Sequence, residues 1–72
     1  MRDCVRRIAV HRVIANDGAF DMCVVEIADG RVVNCYRFAS EQPFTEWWGG
    51  TVVLRNDDDG VLRAYRDGKL IN

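Results

Sequence analysis

The sequence predicts an all-β domain: a small antiparallel meander of five to six strands, curled into a sandwich or a half-open barrel. Two observations carry that expectation. Four Asp-Gly pairs, Asp17-Gly18, Asp29-Gly30, Asp59-Gly60 and Asp67-Gly68, punctuate the chain, and Asp-Gly supplies the positive φ values that hairpin turns need. Nearly every stretch between them is apolar, β-branched or alternating in polarity, as strands with one buried face are.

The first strand is expected over residues 5–15. Ile8, Val10 and Ile14 share one parity, and Arg7, Ala9, His11 and Val13 share the other. Arg12 interrupts the apolar parity, so either a bulge re-phases the strand or that side chain leaves the core near an edge. Asn16-Asp17-Gly18 then turns the chain into a second strand, residues 20–28, and Asp29-Gly30 closes a hairpin onto residues 31–38.

If Asp29-Gly30 is a two-residue loop, Ala28 faces Arg31, and Cys23, Val25 and Ile27 share a face with Val32, Asn34, Tyr36 and Phe38. A type I turn with a glycine bulge would instead set Cys23 opposite Cys35 and mix Arg31 and Arg37 into the apolar face. The first register keeps that face almost wholly apolar and is preferred; it puts the two cysteines on opposite faces and leaves all three thiols free.

The period-2 pattern lapses between Ala39 and Gly50, around the only proline, Pro43. Gln42-Pro43 either starts a short helical turn over residues 43–48, ended by Gly49, or runs as an extended crossover. Strand patterning resumes over residues 51–56, turns at Asp57-Asp58-Asp59-Gly60, continues over residues 61–66 and returns through Asp67-Gly68 to a stub at residues 69–71. The expected core is Ile8, Val10, Val25, Ile27, Val32, Tyr36, Phe38, Val52, Leu54, Leu62 and Tyr65.

Seventy-two residues make one domain, residues 1–72, and a chain this short buries only about 60% of the surface it exposes when unfolded. Dense packing or oligomerisation is the expected remedy, given 49% hydrophobic content. Ten basic residues oppose eleven acidic ones, so no global field draws the protein to nucleic acid or an anionic membrane. Arg2, Arg6, Arg7 and Arg12, opposed locally only by Asp3, leave a nucleic-acid-binding module as the alternative function. No apolar run approaches the roughly 20 residues of a membrane helix, and no signal-peptide core follows Met1. Cys4, Cys23 and Cys35, odd in number and widely spaced, suit a reducing compartment. A soluble, cytoplasmic protein is expected.

Each chemical constellation has a plainer explanation. Cys4, His11, Cys23 and Cys35 total four zinc ligands but lack the close pairs from which structural sites are built, so the cysteines are expected to act as small core hydrophobes and no metal is expected. With Gly60 at the sixth position of a calcium loop, Asp57 and Asp59 fall correctly, but Arg55 and Arg66 occupy the first and twelfth positions and would repel the ion. A serine or cysteine nucleophile would need His11, the only histidine, as its base. Cys4 has the opposite strand parity, and a structural histidine outweighs a catalytic one. No catalytic residue and no cofactor are expected.

The most unusual local feature is Thr45-Glu46-Trp47-Trp48-Gly49-Gly50. Adjacent tryptophans on an extended segment face opposite sides, so one is expected to be exposed. Tryptophan is enriched in binding hot spots, and small sheets have edges to cover. Partner binding is therefore assigned to Phe44, Trp47 and Trp48.

Residues 7–13 (Arg7-Ile8-Ala9-Val10-His11-Arg12-Val13) and 24–33 (Val24-Val25-Glu26-Ile27-Ala28-Asp29-Gly30-Arg31-Val32-Val33) resemble the opening strands of amidohydrolase-superfamily enzymes, where an N-terminal β segment precedes a metal-binding barrel. Residues 46–54, Glu46-Trp47-Trp48-Gly49-Gly50-Thr51-Val52-Val53-Leu54, resemble the strand that leads into that barrel. After Leu54 comes Arg55-Asn56-Asp57, without the proline-glycine or the His-x-His metal motif. The resemblance implies a free-standing composite β-sandwich segment without the enzyme, and it carries over no catalytic residue. The expected function is a non-catalytic protein-protein interaction or self-association module, as a homodimer or with a protein partner. It is expected to work through a surface, with little volume left for a pocket and no small-molecule substrate.

Overall fold

A computed structural model describes residues 5–39 and 45–71. Phe44, Pro43, Cys4 and Arg2, and the first part of the expected helical turn, lie outside the described residues. The protein is all-β. Its strands are β1 (Arg6–Ala15), β2 (Gly18–Ala28), β3 (Arg31–Arg37), β4 (Glu46–Trp47), β5 (Thr51–Asn56), β6 (Leu62–Arg66) and β7 (Lys69–Leu70). There is no helix among the described residues, and the tryptophan segment is extended.

The turns form where their residues demand them. Asp29 and Gly30 sit at φ 54° and 73°, and Asp67 and Gly68 at 53° and 78°. Two consecutive left-handed residues twist a hairpin in the sense of its strands, so Ala28 pairs with Arg31 and Arg66 with Lys69. The longer tip between β5 and β6 is organised by Asp57. Its Oδ1 accepts the Asp59 and Val61 N–H groups at 2.9 and 3.0 Å, and its Oδ2 meets Arg63 Nε at 2.6 Å.

The Arg63 hydrogen bond, followed by the backbone donors, holds the Asp57 carboxyl below its ordinary range. Hydrogen bonds from Arg6 and then from the Trp48 indole do the same for Glu46. A carboxyl depressed in the folded state contributes stability above its unfolded pKa and loses it as pH falls through the folded value. The urea midpoint is therefore expected to hold steady at neutral pH and to drop below about pH 4. Asp57→Asn should show a smaller drop; an identical acid limb would mean that Asp57 has no part in it.

The strands form one sheet in the order β3-β2-β1-β5-β6-β7, with β4 also on β1. The one departure from a plain meander lies on the far side of β1, where β4 and β5 both run parallel to it. The sheet curls without closing. β3 approaches β6 across the gap, and Arg63 Nη1 donates to the Gly30 carbonyl at 2.9 Å, tying one end of the seam.

Of the two readings that Arg12 left open, the bulge is present. The His11 and Arg12 N–H groups both donate to the Gly50 carbonyl at 3.1 Å, so two residues of β1 oppose one acceptor. Met22 across β2 takes φ 56°, while the β1–β2 register continues unshifted on either side. Both strands change phase together. Ile8 and Val10 point inward before the bulge, and Val13 with its partner Phe20 does so after it. Ile14, expected to share the face of Ile8, is thereby turned outward and is 41% exposed.

A second bulge corrects the expected face of β3. The Asp29-Gly30 tip has the preferred two-residue register, but Ile27 pairs with Val32 while Glu26 pairs with Asn34, which leaves Val33 as an extra residue. Every side chain beyond it changes face. Cys35 turns inward beside Cys23, whereas Tyr36 turns outward, where its hydroxyl donates to Glu26 Oε2 at 3.0 Å. The expectation that Cys23 and Cys35 occupy opposite faces is overturned; both are nevertheless free thiols.

The core inside the curl consists of Ile8, Val10, Val13, Cys23, Val25, Ile27, Val52, Leu54, Ala64 and Ile71, with Val32, Cys35, Leu62 and Trp48 packed against it. Tyr36, Phe38 and Tyr65 do not belong to it. Tyr36 left with the bulge, and Tyr65 alternates with the inward Ala64 on β6.

Candidate functional site

Two places on this scaffold gather side chains that can act: the outer face around Trp47 and a groove on the inner face. The tryptophans divide as an extended segment requires. Trp48 packs inward, its Nε1 donating to Glu46 Oε1 at 3.2 Å, with the Arg6 and Arg66 guanidinium carbons 5.0 and 5.4 Å from its ring centre. Trp47, paired with Ala9 on the outer face, is 56% exposed, the most of any large apolar side chain among the described residues.

Trp47 is held in place from several sides. The His11 ring meets it edge-on, with centroids 4.9 Å apart, and Phe38 does so at 6.5 Å. His11 Nδ1 in turn accepts the Gly50 N–H at 3.1 Å, and the Trp48 and Gly49 N–H groups both reach the Ala9 carbonyl. Gly49 and Gly50 take φ 67° and 65°, which lets the chain step from β4 to β5 without leaving β1. His11 thus acts as a fastening for the tryptophan segment.

Register places two apolar rows across the outer face. Tyr36, Val24, Ala9 and Trp47 are successive partners in the first. Ile14, Val53, Tyr65 and Leu70 are successive partners in the second. Ile14 and Leu70 leave about as much surface open as each other, at 41% and 42%. Of the three expected partner-binding residues, Trp47 stands on this face, Trp48 stands on the opposite one, and Phe44 is outside the described residues. Phe38, His11 and Ile14 were not assigned to partner binding from the sequence; a bulge at Arg12 was the signal that would have turned Ile14 outward.

Of the arginines required by a nucleic-acid arm, the three among the described residues are dispersed and partnered. Arg6 pairs with Glu46 at 3.0 Å, Arg7 with Glu26 at 3.0 Å and Arg12 with Asp21 at 3.6 Å. Arg6 projects from the inner face and Arg7 from the outer, so no basic stripe forms from them. No protein-family model, curated protein or solved structure matches this chain. Its candidate sites are therefore described by their own geometry.

The inner face carries a groove of its own, on a domain expected to leave little volume for a pocket. Because the sheet curls without closing, a hollow of about 470 Å³ remains between β3 and the β5–β6 hairpin, with Val13, Phe20, Leu54 and Leu62 among its apolar walls. Cys23, Cys35 and Arg37 line it as well. Cys35 shares the inner face and the groove wall with Cys23, and the Cys23 thiol lies 3.9 Å from the Asp21 carbonyl. Burial, reinforced by the neighbouring sulfur, pushes the Cys35 thiol up to about 11. The parity clue was Asn34, the one polar residue on the face expected to be apolar; its Oδ1 accepts the Cys35 N–H at 2.9 Å beside the bulge.

Proposed function

We infer that this protein is a non-catalytic self-association module, a cytoplasmic homodimer joined through the outer face around Trp47. The observation that carries the reading is Trp47 itself: a large aromatic side chain, 56% exposed, yet fixed by β4 pairing, His11 and Phe38. An exposed aromatic that is already ordered loses little conformational freedom on binding, which is the economy of a hot spot. The second apolar row, Ile14 to Leu70, lies on the same face and extends the surface available to a partner. Two-fold pairing is the commonest way for one protein to close such a surface on itself.

Sedimentation velocity over a range from about 1 to 500 μM tests the reading. A dimer is expected, with Trp47→Ala raising the dissociation constant by about tenfold or more, on the scale of a hot-spot side chain, while the far-UV spectrum stays unchanged. Raising the salt concentration should alter an apolar contact little, whereas binding through phosphates would weaken steeply. A monomer at the highest concentration would overturn the inference.

A further inference from the structure

We propose that Cys23 and Cys35 form a two-thiolate site for a soft monovalent d¹⁰ cation, copper(I), in the inner groove. The Val33 bulge brings the pair together: it turns Cys35 to the face of Cys23, diagonally across β2 and β3, where both line the groove. A single cation bonded to both sulfurs would replace both thiol protons. Soft thiolates select copper(I), and two such ligands satisfy it, whereas zinc requires four. No group of three or more histidine, cysteine or acidic side chains is placed to hold a metal among the described residues, which favours the ion of low coordination number.

The surroundings fit this chemistry. Binding removes both thiol protons and adds one positive charge, so the site changes from neutral to a net charge of minus one. Arg37, the strand partner of Cys23, lines the same groove and has no ion-pair partner among the described residues. Burial pushes the Cys23 thiol up; the Arg37 charge works against that rise, and Asp21 adds to it with the smaller effect. Val13, Phe20, Leu54 and Leu62 keep the groove apolar, which limits competition from water for the ion. The site lies on the face opposite Trp47 and does not rest on self-association.

The test uses the full chain carrying Cys4→Ser, titrated anaerobically with copper(I) supplied as its acetonitrile complex against bicinchoninate. One ion per chain is expected, with two protons released per ion and a near-ultraviolet thiolate-to-copper band. Cys35→Ser, and separately Cys35→Ala, should abolish binding while keeping the β spectrum, and Arg37→Gln should weaken it by about tenfold, the effect of one nearby charge. Retention of one-to-one binding in the Cys35 variants, binding unchanged by unfolding in urea, or zinc binding of equal strength would each overturn the proposal.

Discussion

Ile8→Ala is expected to cost about 3 to 5 kcal/mol, by the scale of buried isoleucine truncations, and to leave much of the population unfolded. Ile8 is fully buried in the middle of β1, the strand that carries β2 on one side and both β4 and β5 on the other. Losing three carbon atoms there removes burial and opens a cavity that the surrounding strands cannot collapse into without breaking their pairings. A domain of this length has a total stability of roughly 4 to 11 kcal/mol, so the loss is a large share of what exists. Urea unfolding followed by circular dichroism should show the midpoint collapse. Ile14→Ala, on the same strand but turned outward by the bulge, should move it by less than about 1 kcal/mol. Similar losses at both positions would contradict the phase change at His11 and Arg12.

Trp48→Ala should destabilise the fold by about 2 kcal/mol, part of the cost of truncating a fully buried tryptophan, whereas Trp47→Ala should leave stability nearly unchanged. The adjacent residues differ only in the face they occupy. Trp48 closes the end of the core, and without its ring Arg6 and Arg66 lose their stacking surface and Glu46 an indole donor. Trp47 lies over a face already sealed at Ala9 and Val24, so its removal uncovers less. Thermal or urea unfolding of the two variants, compared with their sedimentation, separates the roles. A larger stability loss at Trp47 than at Trp48 would reverse the assignment of faces.

Much of the candidate site was legible as a possibility and undecided as a fact. That one tryptophan must be exposed follows from strand alternation, but which one depends on the parallel pairing of β4 with β1, a contact between segments some forty residues apart in the chain. The cysteine pair was hidden by a single inserted residue. Strand parity carries no memory of a bulge, so reading the face of Cys35 from the Asp29-Gly30 turn succeeded up to Val32 and failed beyond it.

What the sequence determined by itself is what local chemistry controls. Asp-Gly pairs set the hairpin tips because their backbone preferences act over two or three residues, alternating side chains set the strands, and Arg12 within an apolar parity marked a break in β1, a bulge or an edge. Tertiary structure alone decided the parallel placement of β4 and β5, the extra residue at Val33, the departure of Tyr36, Phe38 and Tyr65 from the core, and the meeting of the two thiols. Each of these is a choice between registers with nearly equal local cost. Burial against strands distant in sequence decides among them, and no single segment carries that information.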